Sequence, residues 1–163
     1  MVTPLPPLPR ALACDPECPW MATAWSELYA GVRELPGTRD SARIIEYLRT
    51  CTARRFPMHD STPWCSAFAC WVFEQLGIES TRDPAARSWL KWGRTCLPRV
   101  GAVVVFPRPP LPWSGHVGLV SHVDHGAPGG VAIGVLGGNQ GNAVSVVRRR
   151  ARDAIGFRWP LTH

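Results

Sequence analysis

Pro63-Trp64-Cys65-Ser66-Ala67-Phe68-Ala69-Cys70-Trp71-Val72-Phe73-Glu74-Gln75-Leu76-Gly77 is apolar on nearly every side when wound as a helix. A helix of that kind is stable only when surrounded by other elements, so it is expected at the centre of the molecule. Thr62 is placed to cap it, Pro63 suits its first turn, and Gly77 suits its exit. Upstream, Met21, Ala24, Trp25, Leu28 and Val32 recur at helical spacing from Trp20 to about Val32, and Pro36-Gly37 ends that segment. Ile44, Ile45, Leu48 and Cys51 share one face of a second helix from about Arg39 to Cys51. A short helix is expected over Pro84 to Trp92. Beyond it the period turns strand-like, with five runs separated by Gly and Pro turns: Gly101 to Phe106, His116 to Val123, Val131 to Leu136, Ala143 to Arg148 and Ile155 to Trp159. Helices first and strands afterwards make an α+β fold, its antiparallel sheet packed on the central helix.

The whole chain has 163 residues, 45% of them apolar and 18% charged, which is the size and balance of one domain with its own core. Residues 1–19 read as a Pro-rich extended arm and 20–163 as the domain. No apolar run approaches the ~20 residues of a membrane-spanning helix. Four prolines interrupt the first ten residues and there is no basic start, so synthesis in the cytoplasm without the general export signal is expected. The net charge is +6, carried by 17 Arg and the single Lys91, with Arg148, Arg149, Arg150 and Arg152 as the one dense cluster. Such a surface draws polyanions, an acidic wall polymer among them. Aromatics are not interleaved with the cluster as base-stacking requires, which argues against a nucleic-acid partner. Six cysteines allow one or two disulfides. Cys14 and Cys18 form a C-x3-C pair with no second pair to complete a zinc site, and His122 and His125 beside Asp124 read as surface residues. No metal and no cofactor are expected.

Cys65 would open the central helix, where unpaired N–H groups and the positive end of the dipole favour a thiolate, whereas Cys70 on another side reads as core. His116 lies in Ser114-Gly115-His116-Val117-Gly118, with a glycine on each side leaving its ring approachable. A helix-then-sheet fold can bring it to the thiol as general base. One strand further on, Gly137-Gly138-Asn139-Gln140-Gly141 offers a polar group to fix the imidazole tautomer, and Asn139 is the reading chosen.

These segments, together with Ala86-Arg87-Ser88-Trp89-Leu90-Lys91-Trp92-Gly93 and Gly156-Phe157-Arg158-Trp159-Pro160, resemble the CHAP and NlpC-type papain-like cysteine peptidases, in particular their small phage- and secretion-associated branch. The resemblance covers roughly Trp20 to Pro160. It implies a papain-like fold and a peptidoglycan hydrolase that cuts an amide bond of the wall peptide through a cysteine acyl-enzyme, with Cys65 as nucleophile, His116 as base and Asn139 as orienting residue. Two positions depart from the pattern. Ala102 stands where relatives commonly have Asp. The tyrosine that NlpC-type enzymes place before the cysteine has no counterpart, so the oxyanion donors fall to the Cys65 N–H with His59, Asp60 or Ser61. Trp64, Trp113, Ser114, Gly115 and Gln140 are the expected cleft residues, and Trp89 and Trp92 the expected core.

The reading that follows is a monomeric antibacterial effector acting in the periplasm or wall of a target bacterium. Peptidoglycan is its substrate, and an immunity protein or a secretion-apparatus component its partner. A phage endolysin of the same chemistry and a non-catalytic wall-binding module are the alternatives.

Overall fold

The computed structural model describes residues 15–161. Helices α1 (Trp20–Tyr29), α2 (Ala42–Thr50) and α3 (Cys65–Glu74) come first, followed by a 3-10 segment, Ala86–Lys91. The strands are β1 (Arg94–Thr95), β2 (Val103–Pro107), β3 (Gly115–Asp124), β4 (Ala132–Gly137), β5 (Ser145–Arg150) and β6 (Gly156–Trp159), with a 3-10 turn at Ala151–Asp153 between the last two. They form one antiparallel sheet in the order β1-β6-β2-β3-β4-β5. The α+β class is as read from sequence, with six strands in place of five. The extra strand, β1, pairs only Arg94 with Trp159 and Thr95 with Arg158. Two exposed residues carry no alternation for a sequence reading to find.

Helix α3 lies against β3 and is buried from Cys65 to Phe73, as its all-round apolar surface demands. Its start differs from expectation. Trp64 occupies the N-cap position, no side chain caps the helix, and Thr62 donates its hydroxyl to the carbonyl of Pro57 at 2.9 Å. Gly77 ends the helix at φ +70°, a conformation glycine adopts without strain. The β-branched run Val103-Val104-Val105 is buried on both faces in mid-sheet.

The domain begins earlier than residue 20. Cys18 is buried against Gly101, where an added Cβ would lie 2.4 Å from its own, and the Trp20 indole donates to the Gly101 carbonyl at 2.8 Å. Residues 1–14 of the expected arm, Cys14 included, lie outside the described residues. Two buried carboxylates tie the helical half together. Glu27 accepts the Tyr47 hydroxyl and pairs with Arg43 at 3.2 Å, joining α1 to α2. Asp60 accepts the N–H groups of Leu35 and Ser41, both at 2.9 Å, which holds the approach to α3 against the approach to α2. A buried carboxylate is tolerated only with such partners.

Candidate active site

The two ends that meet at the site are the start of α3 and the start of β3. Because α3 has no side-chain cap, the N–H groups of Cys65, Ser66 and Ala67 are left by the helix itself, and the first internal bond is Phe68 N–H to Trp64 O at 2.9 Å. The Cys65 thiol sits among three backbone donors, those of Val117, Ser66 and Cys65. Val117 follows His116 in β3, so the nucleophile rests against the strand that carries the base. Burial pushes the thiol pKa up, while the Val117 N–H, the Arg108 charge and the helix-start amides pull it back. The net shift is upward, so the resting group is a thiol.

His116 is buried, and its Nε2 lies 3.0 Å from Gln140 Oε1. The Gln140 amide has one orientation open to it. Its nitrogen faces three backbone carbonyls, donating to Ser145 O at 2.6 Å and Val135 O at 3.1 Å with Gly137 O at 3.4 Å, so its oxygen must face the ring. His116 therefore carries its proton on Nε2 and keeps a free lone pair on Nδ1, which is buried and has no hydrogen-bond partner among the described residues. Burial, joined by the charges of Arg108 and Arg149, lowers the imidazole pKa to about 4 against the opposing effect of Gln140. At neutral pH the resting pair is a neutral thiol and a neutral imidazole with its basic nitrogen unoccupied. No hydrogen bond yet joins that nitrogen to Cys65, a contact that commonly closes only with substrate in place.

Gln140 thus holds the position that the sequence reading gave to Asn139. Asn139 sits in the turn at φ +56°, a left-handed conformation that Asn tolerates better than most residues, and the hydrogen bond to the His116 ring comes from Gln140. Which of two adjacent amides reaches the ring depends on the register of this turn, and spacing alone does not resolve it. Trp64 is also displaced from its expected role. It is fully buried, its indole donating to Glu34 at 3.0 Å, and it packs so closely under Gly138 that an added Cβ there would lie 2.5 Å from the ring. It connects the nucleophile helix to the Gln140 turn and walls no cleft.

The expected oxyanion side chains are engaged elsewhere. Asp60 is the acceptor described above, His59 turns to Asp40 at 3.3 Å, and Ser61 is exposed. The backbone donors at the start of α3 remain for an oxyanion.

Trp113, by contrast, is 70% exposed and stands at a groove of about 680 Å³, together with Arg54, Asp83, Arg87 and Lys91. The groove adjoins both reactive segments. Asp83 O accepts the Ser66 hydroxyl at 2.6 Å, and Arg87 Nε donates to Ser114 O at 2.8 Å. Gly115 is closely packed there, a Cβ lying 3.0 Å from Phe106 O and 3.2 Å from the Arg87 stem. Among the described residues no three His, Cys, Asp or Glu side chains gather as a metal ion requires. No helix among them is long and apolar enough to cross a membrane.

The family model of the CHAP domain matches residues 57–139, just over half of the chain, from the approach to α3 through the nucleophile and base to the turn before Gln140. No curated protein matches the chain in sequence.

Proposed function

Because the chain belongs to the CHAP domain family, whose members are amidases or peptidases of peptidoglycan, we propose that it hydrolyses an amide bond of the wall peptide through an acyl-enzyme on Cys65. The observation that carries this reading is the locked imidazole, with Gln140 holding the Nε2 proton and leaving Nδ1 basic on the strand whose next residue, Val117, meets the helix-start thiol. His116 Nδ1 takes the thiol proton as sulfur attacks the scissile carbonyl, and the new oxyanion is met by N–H groups at the start of α3. The imidazolium then protonates the leaving amine as the C–N bond breaks. Water, deprotonated by the same nitrogen, attacks the thioester, and the carboxylate product leaves with the thiol restored. Incubation with purified sacculi should release soluble muropeptides with new amino and carboxylate ends, identified by mass spectrometry. Folded Cys65→Ala should release none, and equal release by that variant would sink the mechanism.

We further propose that the enzyme acts outside the cytoplasm, as a delivered antibacterial effector checked in its producer by an immunity protein. A net charge of +6 suits an anionic wall, and a pair of buried cysteines in contact suits an oxidising compartment. Expression in a Gram-negative host should be tolerated in the cytoplasm and should lyse cells when the chain is fused to a periplasmic signal. Equal toxicity from both compartments would defeat the wall-hydrolase reading.

A further inference from the structure

Arg108, just beyond β2, and Arg149, on β5, both approach the catalytic pair, and among the described residues neither has an acidic partner. Arg149, on the edge strand β5, lays its guanidinium over the ring of Phe106, 5.1 Å from the centroid. Phe106 stands directly opposite His116 in the pairing of β2 with β3. Arg108 follows β2, and its N–H bond to Ser114 O at 3.3 Å closes the loop whose other stem runs into Gly115 and His116. Both are exposed, and among the described residues neither guanidinium makes a salt bridge or a hydrogen bond. Their neighbours are treated differently. Arg148 is paired with Asp124 at 2.8 Å and Arg54 with Asp83 at 2.5 Å.

Two bare cations in this place oppose the reaction. His116 must become an imidazolium as the thiol is deprotonated, and both charges disfavour that form. An anion brought in by the substrate would offset them at the moment the proton moves. A guanidinium matches a carboxylate geometrically, offering two parallel N–H donors to two oxygens.

We propose that Arg108 and Arg149 receive a free carboxylate of the wall peptide near the scissile amide, so that the enzyme selects stems in which that carboxylate is not amidated. The inference rests on the proposed amide hydrolysis and names its substrate class more closely.

Its test compares a muropeptide released from sacculi with the same muropeptide whose carboxylates are converted to carboxamides. Turnover is measured with the wild-type protein and affinity with Cys65→Ala. The carboxylate form should be favoured roughly 10- to 100-fold in kcat/KM and in Kd, as charge-assisted hydrogen bonds imply. In Arg108→Gln and Arg149→Gln the ratio should fall, and in the double variant it should approach one. Equal Kd and equal kcat/KM for the two muropeptides in the wild-type background would overturn the inference, as would a preference that survives the double variant. Binding that favours the carboxylate without turnover of either form would refute the hydrolase reading and leave the carboxylate site standing.

Discussion

Gln140 Oε1 accepts the Nε2 proton of His116 across 3.0 Å while the other end of the same amide is held by the Ser145 and Val135 carbonyls. The side chain is a clamp between two parts of the backbone, so it sets the tautomer and the ring plane together. Gln140→Ala should lower kcat/KM by about 10- to 100-fold with a smaller change in KM, the loss of one buried hydrogen bond and of the correct tautomer. Asn139→Ala should leave the kinetics near wild type and lower stability by about 1 kcal/mol, because Ala is strained at a positive φ. Asn139→Gly should be close to neutral in both. If Asn139→Ala costs the larger share of kcat, the orienting role belongs to Asn139.

A resting pair that is neutral has its own signature. With the thiol pKa raised by burial and the imidazole pKa lowered to about 4, thiolate at Cys65 forms only as pH rises past the ordinary thiol range. Alkylation of Cys65 by iodoacetamide, followed peptide by peptide, should keep accelerating from pH 6 to pH 9. A rate already level from pH 5 upward would mean a preformed thiolate and imidazolium pair.

The same burial couples His116 to stability. Its pKa is about 4 in the folded protein and near 6.5 in the unfolded chain, so below 6.5 the unfolded chain binds the proton first. This contribution to stability is complete above pH 6.5 and is lost as pH falls towards 4, at most about 3 kcal/mol. Denaturant unfolding at pH 7 and pH 4.5 should show a smaller acid loss in His116→Gln than in the wild type. Equal losses would show that the imidazole is not held neutral by the fold.

Close packing beneath the turn gives a fourth expectation. A Cβ at position 138 would meet the Trp64 ring at 2.5 Å and the Phe68 Cβ at 2.7 Å, neither of which can move without shifting α3. Gly138→Ala should destabilise the protein by about 1–3 kcal/mol and reduce kcat through displacement of Gln140. Unchanged melting and turnover would show the contact to be slack. Trp113→Ala, on the exposed rim, should instead raise KM with little change in melting temperature.

Chemistry-bearing residues with strong local signals were readable from the chain. An all-round apolar helix that opens on Cys65 can only be central, and the Gly-flanked His116 could only start a strand. What escaped reading were relations that side-chain length and turn register decide in three dimensions. Gln140, and not Asn139 at its left-handed φ, bonds the ring. Trp64 packs against Tyr47 and under Gly138 instead of lining a cleft, and Thr62 is two positions too early to cap once Trp64 takes the N-cap. Asp60 resembled a site residue because it lies five before Cys65, but a buried carboxylate with two amide donors is an acceptor already satisfied.

The cysteines beyond the site yield the last expectation. Cys18, Cys51, Cys65, Cys70 and Cys96 are free thiols, and two of them are in contact. Thr50, at the end of α2, reaches the Ala67 carbonyl of α3 at 3.5 Å, which brings the next residue, Cys51, alongside Cys70 one helical turn on. Both are buried, and Cys51 hydrogen-bonds to Cys70, raising its own pKa and lowering that of its partner. Refolding in a glutathione buffer should therefore join them. Each thiol surrenders its hydrogen as oxidised glutathione is reduced to two molecules of the thiol, and one S–S bond links α2 to α3. Closing a loop of this length should stabilise the fold by about 3 kcal/mol, or roughly 10 °C in Tm, and Cys51→Ser should abolish the gain. Cys65 should remain alkylatable throughout, since its thiol faces β3 and takes no part in the pair. Peptide mapping without reductant that finds Cys51 and Cys70 both free after such refolding, or finds Cys65 bridged to either, would show that contact in the fold does not direct oxidation here.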